Sequence, residues 1–170
     1  MKSNVKKLAF AGIFVALAVV CSAFYIPIGV SKCFPIQHMV NVLAGVFLGP
    51  WYACGMAFVT SLIRVLMGTG SLLAFPGSMI GALLCGLIYQ KTRKMPLAVL
   101  GEVIGTGLLG ALAAYPMATL FMAKEAAVFG FVLPFGISSL GGALISFVIL
   151  LILERTKALS LLEKSLSTTR

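Results

Sequence analysis

Apolar residues run along this chain in long blocks separated by brief interruptions. The interruptions fall at Pro27–Pro35, Gly49-Pro50, Gly68–Gly70, Lys91–Pro96 and Ala123–Ala127. About 20 apolar residues cross a bilayer as a helix. The blocks therefore predict six spans, near residues 7–26, 37–49, 51–67, 72–90, 96–122 and 128–153. The second is short, at about 13 residues against the roughly 20 a full crossing takes. The Gly49-Pro50 turn joins it tightly to the third. No segment needs to be a strand, because an open sheet leaves backbone groups unpaired in lipid.

Composition agrees with the pattern. Hydrophobic residues make up 61% of the chain and charged ones 10%, with a mean hydropathy of +1.12. A soluble domain averages roughly 45–50% apolar and about 25% charged. The expected fold is an all-α integral membrane protein, one six-transmembrane-helix bundle over residues 1–170. The N-terminal stretch MKSNVKKLAFAGIFVALAVVCSAF has the look of a signal peptide. Val20 is too bulky for lipoprotein cleavage before Cys21, and no hydrophilic domain follows, so it reads as a retained first span.

The net charge of +9 is distributed as a topology signal rather than as a nucleic-acid surface. Of thirteen basic residues, ten lie in the termini and the Lys91–Lys94 loop, Lys32 and Lys124 lie on the opposite side, and Arg64 falls within a span. The positive-inside rule places both termini in the cytoplasm and the Pro27–Ile36, Gly68–Ser71 and Ala123–Ala127 loops outside. Cys21, Cys54 and Cys85 lie in apolar blocks and Cys33 in a loop, with no disulfide framework.

The candidate chemistry begins with FPIQHMVN, residues Phe34 to Asn41. Gln37, His38 and Asn41 share an arc of about 100° on a helix, at the outer entry of the second span. Either they wall a ligand site or they are a solvated helix start. Arg64 and Glu102 are charged groups inside spans, where charge is costly and faces a cavity or partner; the plainer alternatives are snorkelling and a structural hydrogen bond. Thr106 follows Glu102 by one turn. Tyr115 is roughly 140° around an ideal helix from Glu102, so the two share a wall only if Pro116 distorts the turn. Ser71, Phe75 and Ser78 share a face of the fourth span, and Pro134, Phe135, Ser138 and Ser139 play a similar part early in the sixth. Together these outer ends predict a small ligand pocket, with local serine-to-backbone bonding as the alternative for any single serine. At 1.5 Å per residue Arg64 and Glu102 differ in depth by about 10 Å. Separate roles follow. Arg64 is expected to donate to carbonyls near Gly68–Ser71, and Glu102 to bond across to a neighbouring helix as a neutral acid.

Several activities are poorly supplied. There is no GxxxxGK[ST] phosphate loop, HExxH or GxSxG, and no aspartate at all. With one histidine and four acids a metal site is not expected. The expectation is a non-enzyme without a cofactor of its own; a solitary proton-coupled carrier or small membrane enzyme using Glu102 and His38 is the alternative of another class.

The stretches CFPIQHMVNVLAGVFLGPWYA, SLIRVLMGTGSLLAFPGSMIGALLCGLIY and LGEVIGTGLLGALAAYP resemble the ThiW family, substrate-binding S components of energy-coupling factor transporters. The resemblance runs from Lys7 to Arg155. It implies a multi-pass protein of a bacterial or archaeal cell membrane that binds hydroxyethylthiazole, the thiazole precursor of thiamine, from outside. It also implies partners: a membrane coupling protein and two ATPases that use ATP. Another thiamine precursor or small vitamin is the alternative ligand. S components commonly carry an AxxxA pattern on the first helix for the coupling protein; its nearest match is Gly12-x-x-x-Ala16, with Ala9 and Ala23 extending the face.

Overall fold

A computed structural model describes residues 2–28, 31–123 and 127–167. It is mostly helical. Helix α1 (Lys2–Val20) ends in a 3-10 turn, Cys21–Ala23, and is followed by a hairpin of β1 (Ile26–Ile28) and β2 (Ser31–Cys33). Then come α2 (Pro35–Leu48), α3 (Pro50–Leu66) and α4 (Ala74–Thr92). A long helix starts as α5 (Met95–Ile104), passes through a π turn (Gly105–Gly110) into α6 (Ala111–Pro116), and ends in a second π turn (Met117–Phe121). Helices α7 (Val132–Arg155) and α8 (Ala158–Ser167) complete the order.

The helices match the apolar blocks. Three stretches, Asn4–Ala23, Met95–Phe121 and Val132–Arg155, are long and apolar enough to cross a membrane, and Pro35–Leu48 and Pro50–Leu66 are shorter apolar helices. Pro35 and Pro50 open α2 and α3, where a missing N–H costs no helical bond. Between them Gly49 has φ +86°, a conformation that a side chain disfavours, and this lets the chain reverse in one residue.

Two features differ from the expectation. The loop between the first and second apolar blocks contains strands, paired antiparallel as Ile26↔Cys33, Pro27↔Lys32 and Ile28↔Ser31. They lie beyond the helix ends, where water can serve the hairpin's outer backbone groups, so the constraint that forbids strands in lipid does not act there. The chain also continues past the last apolar block as α8, whose Leu159 and Leu166 are buried. Tyr89 Oη and Arg93 Nη1 donate to Glu163 of α8 at 3.0 and 3.3 Å, and Lys6 Nζ donates to the Ser165 carbonyl at 3.3 Å. This is the basic end of the bundle; the hairpin marks the other.

Helix α2 occupies the centre, packed by α1, α3, α4, α5 and α7. Val40, Val42 and Ala44 on it are completely covered. The outside is apolar instead: Leu8, Ile13 and Val20 of α1 and Leu144, Val148 and Ile152 of α7 are all exposed. Exposed leucines around buried polar groups suit lipid, where close backbone approach at small residues replaces the hydrophobic drive between helices. Gly142 shows the device. A Cβ there would stand 2.6 Å from the Met39 amide nitrogen and 2.7 Å from His38 Cβ. Helix α7 thus presses on the first turn of α2 and fixes where His38 points.

Candidate ligand site

The polar residues of FPIQHMVN are inside the bundle. Gln37 is 5%, His38 8% and Asn41 1% exposed, which removes the solvated-helix alternative. Their partners come from α4 and α5. Gln37 Nε2 donates to Ser78 Oγ at 2.9 Å. Asn41 Nδ2 reaches Ser78 Oγ at 2.9 Å, the Ser78 carbonyl at 3.3 Å and Glu102 Oε1 at 3.1 Å. His38 Nδ1 lies 2.9 Å from the same Glu102 oxygen. Thr106 Oγ1 lies 3.0 Å from it and 3.1 Å from the Gly77 carbonyl. Three helices are therefore joined by one buried network, and burial makes each lost bond expensive.

Above this network, at the hairpin end, is a cavity of about 580 Å³. Gln37, His38, Ser78 and Thr106 contribute its polar floor, and Phe34, Phe131 and Phe135 its aromatic walls. Phe34 is held from two sides. Its amide donates to Ser138 Oγ at 2.7 Å, and the Arg64 guanidinium lies 4.0 Å from its ring centroid, an attractive cation–π distance. Arg64 Nη2 also donates to the Thr69 carbonyl at 3.2 Å, while the Thr69 and Gly70 amides donate back to the Arg64 carbonyl at 2.9 and 3.0 Å. Thr69 is tied to the end of α1 through Ser22 Oγ at 3.2 Å. Cys33 Sγ donates to the Pro134 carbonyl at 3.4 Å, and burial pushes its thiol pKa up, so it stays a protonated donor joining the hairpin to α7.

A family model described as "Thiamine-precursor transporter protein (ThiW)" matches residues 8–156. The chain belongs to the ThiW family. No curated protein and no solved structure matches it. Membership makes this a thiamine-precursor transporter in a membrane setting, consistent with the apolar exterior.

In this ThiW chain the cavity gathers Gln37, His38, Arg64, Ser71, Ser78 and Thr106 from among the residues expected to bind ligand. Asn41 and Glu102 lie one layer behind, bonded to the lining. Glu102 does bond across to a neighbouring helix, as expected, and no Arg64–Glu102 ion pair occurs among the described residues. Phe75, Ser139 and Tyr115 stand off the lining. Phe75 packs on Phe58, with ring centroids 5.5 Å apart, and Ser139 Oγ returns to the Gly136 carbonyl at 3.1 Å. The π turns do distort the helix around Tyr115 without bringing it to the cavity. Phe34, Thr69, Gly77 and Phe131 also line the cavity, although the sequence pattern does not mark them. A phenylalanine in an apolar chain carries no signal of its own, but Thr69 sits in the loop toward which Arg64 was expected to donate.

The ThiW network depends on a glycine. A Cβ at Gly81 would collide with Thr106 Oγ1 and stand 2.6 Å from Glu102 Oε2. Gly81→Ala is expected to destabilise the protein by about 1–3 kcal/mol through overpacking. Thermal unfolding of the purified protein in detergent checks this, and an unchanged midpoint would contradict the packing described.

Proposed function

We propose that this chain is the substrate-binding S component of an energy-coupling factor importer, and that it captures hydroxyethylthiazole from outside in the hairpin-end cavity. The observation that carries the reading is the character of the lining. Aromatic faces stand over a hydrogen-bonding floor, and no carboxylate lines the cavity among the described residues. A small, flat, neutral ligand with a ring nitrogen, a sulfur and one hydroxyl suits such walls. A cationic ligand would meet Lys32 and Arg64 with no counter-charge among the described lining residues. The basic end facing the cytoplasm supports an outward cavity and cytoplasmic termini, with all six apolar blocks as spans. The absence of a phosphate loop in the sequence fits ATP hydrolysis by two partner ATPases through a membrane coupling protein. Another thiamine precursor in the same cavity is the nearest alternative.

The polar floor is tested by truncation. His38→Ala and Asn41→Ala are each expected to weaken thiazole binding by about 1–3 kcal/mol, the cost of a lost buried hydrogen bond. Equal affinity in both variants and the native protein, measured by calorimetry, would detach this cluster from the ligand.

One observation favours a second reading. The contact between His38 and Glu102, 2.9 Å apart, puts two ionisable side chains at hydrogen-bond distance inside the bundle, the kind of pair a solitary proton-coupled carrier would need. Proteoliposomes holding this chain alone separate the two readings. Thiazole uptake driven by a pH gradient supports the carrier, and uptake only with the ATPase partners supports the S component.

A further inference from the structure

His38 is the only histidine in the chain, and its two ring nitrogens have different surroundings. Nδ1 is 2.9 Å from Glu102 Oε1. Nε2 has no hydrogen bond within the described protein and is the nitrogen left to the cavity that His38 lines. Which nitrogen carries the proton decides what the cavity offers a ligand.

Glu102 Oε1 settles this. Asn41 Nδ2 lies 3.1 Å from it, and an amide nitrogen only donates. That amide cannot be turned around, because Nδ2 also reaches the Ser78 carbonyl at 3.3 Å, which only accepts. Thr106 Oγ1 approaches the same oxygen at 3.0 Å. With Glu102 as a carboxylate, Oε1 only accepts, and the one Thr106 hydroxyl proton is divided between it and the Gly77 carbonyl at 3.1 Å. The remaining neighbour, His38 Nδ1, must then supply an N–H.

We infer that Glu102 is a positioning residue that holds neutral His38 in the Nδ1–H tautomer, so that Nε2 faces the cavity as a hydrogen-bond acceptor and selects ligands carrying a hydroxyl. Hydroxyethylthiazole has one such donor, since its ring nitrogen and sulfur only accept. The hydroxyl half of this inference rests on the thiazole reading above; the tautomer half does not.

A single histidine makes the first half directly readable. With ¹⁵N-labelled histidine in mildly alkaline buffer, the native protein should show a protonated Nδ1 and a bare Nε2. Glu102→Leu should lose that preference. Glu102→Gln should keep it, because the Asn41 amide, which only donates, holds the amide oxygen where Oε1 was. A protonated Nε2 in the native protein, or a tautomer indifferent to Glu102→Leu, overturns the positioning role. For the second half, hydroxyethylthiazole should bind roughly tenfold more tightly than the same ring bearing an ethyl group. The ratio should collapse in Glu102→Leu and survive in Glu102→Gln. Equal affinity of the native protein for both thiazoles overturns hydroxyl selection. If the tautomer behaves as stated but neither thiazole binds, the ligand reading falls and the positioning role stands.

Discussion

Replacing Gly12 and Ala16 together with leucine is expected to abolish co-purification with the proposed coupling protein, and the proposed ATP-driven thiazole uptake with it, while the isolated chain binds thiazole as before. Both positions are exposed on α1, and a Cβ at Gly12 would meet nothing within 4 Å. Only 22% of the apolar window of α1 is buried, and the Gly12–Ala16 face is left open among the described residues. Small residues four apart allow close backbone approach between helices in lipid, and two leucines would hold a partner helix away. Neither Gly12 nor Ala16 lines the cavity, whose loop meets this helix at Ser22, and this is why affinity should stay level. Loss of both assembly and affinity would mean that α1 had been repacked, and the interface assignment would fail.

Arg64→Ala is the second variant with a large expected effect. Arg64 is 1% exposed, and it holds the Thr69 carbonyl with Nη2 and the Phe34 ring with its guanidinium face. Removing it releases two walls of the cavity at once. A charged hydrogen bond is worth about 1.5–3 kcal/mol and a desolvated cation–π contact about 2. Because the two are not additive, an affinity loss of about 3 kcal/mol, over a hundredfold, is the expectation. Arg64→Lys should rescue little, since an ammonium cannot stack on Phe34 and bond Thr69 in the same planar way. Titration of both variants with thiazole checks this; affinity restored by Lys would show that charge alone matters at this position.

Much of the bundle was legible because its breaks are chemical. Gly49-Pro50 and the Lys91–Pro96 stretch end helices wherever they occur, and the spacing of Gln37, His38 and Asn41 puts them on one face of any helix. The site was legible to the extent that it is local: Arg64 and its loop are five residues apart in the chain. What the sequence withheld was the meeting of elements. Glu102 was placed by counting along a straight helix, which says nothing about how α2 and α5 cross, and so did not show His38 against it. Gly81 lets α4 close on Glu102 and Thr106 and Gly142 lets α7 close on His38, and the value of both lies in what they touch rather than in their own pattern. Face reasoning likewise put Phe75 with Ser78 without revealing that Phe58 was its neighbour. Helix α8 was hidden by its shortness, although Leu159, Leu162 and Leu166 have the spacing of one buried stripe.

The proposed cavity should hold a small neutral thiamine precursor without help from any ATPase. Equilibrium binding to the purified chain, alone in detergent or nanodiscs, measures that directly. Hydroxyethylthiazole, the pyrimidine half of thiamine, thiamine itself and unrelated small vitamins form the panel. Hydroxyethylthiazole is expected to bind most tightly and to be retained without partners, with the affinity lowered by His38→Ala. Tight binding of cationic thiamine with none of the neutral thiazole, or retention of no ligand at all by the isolated chain, would contradict it.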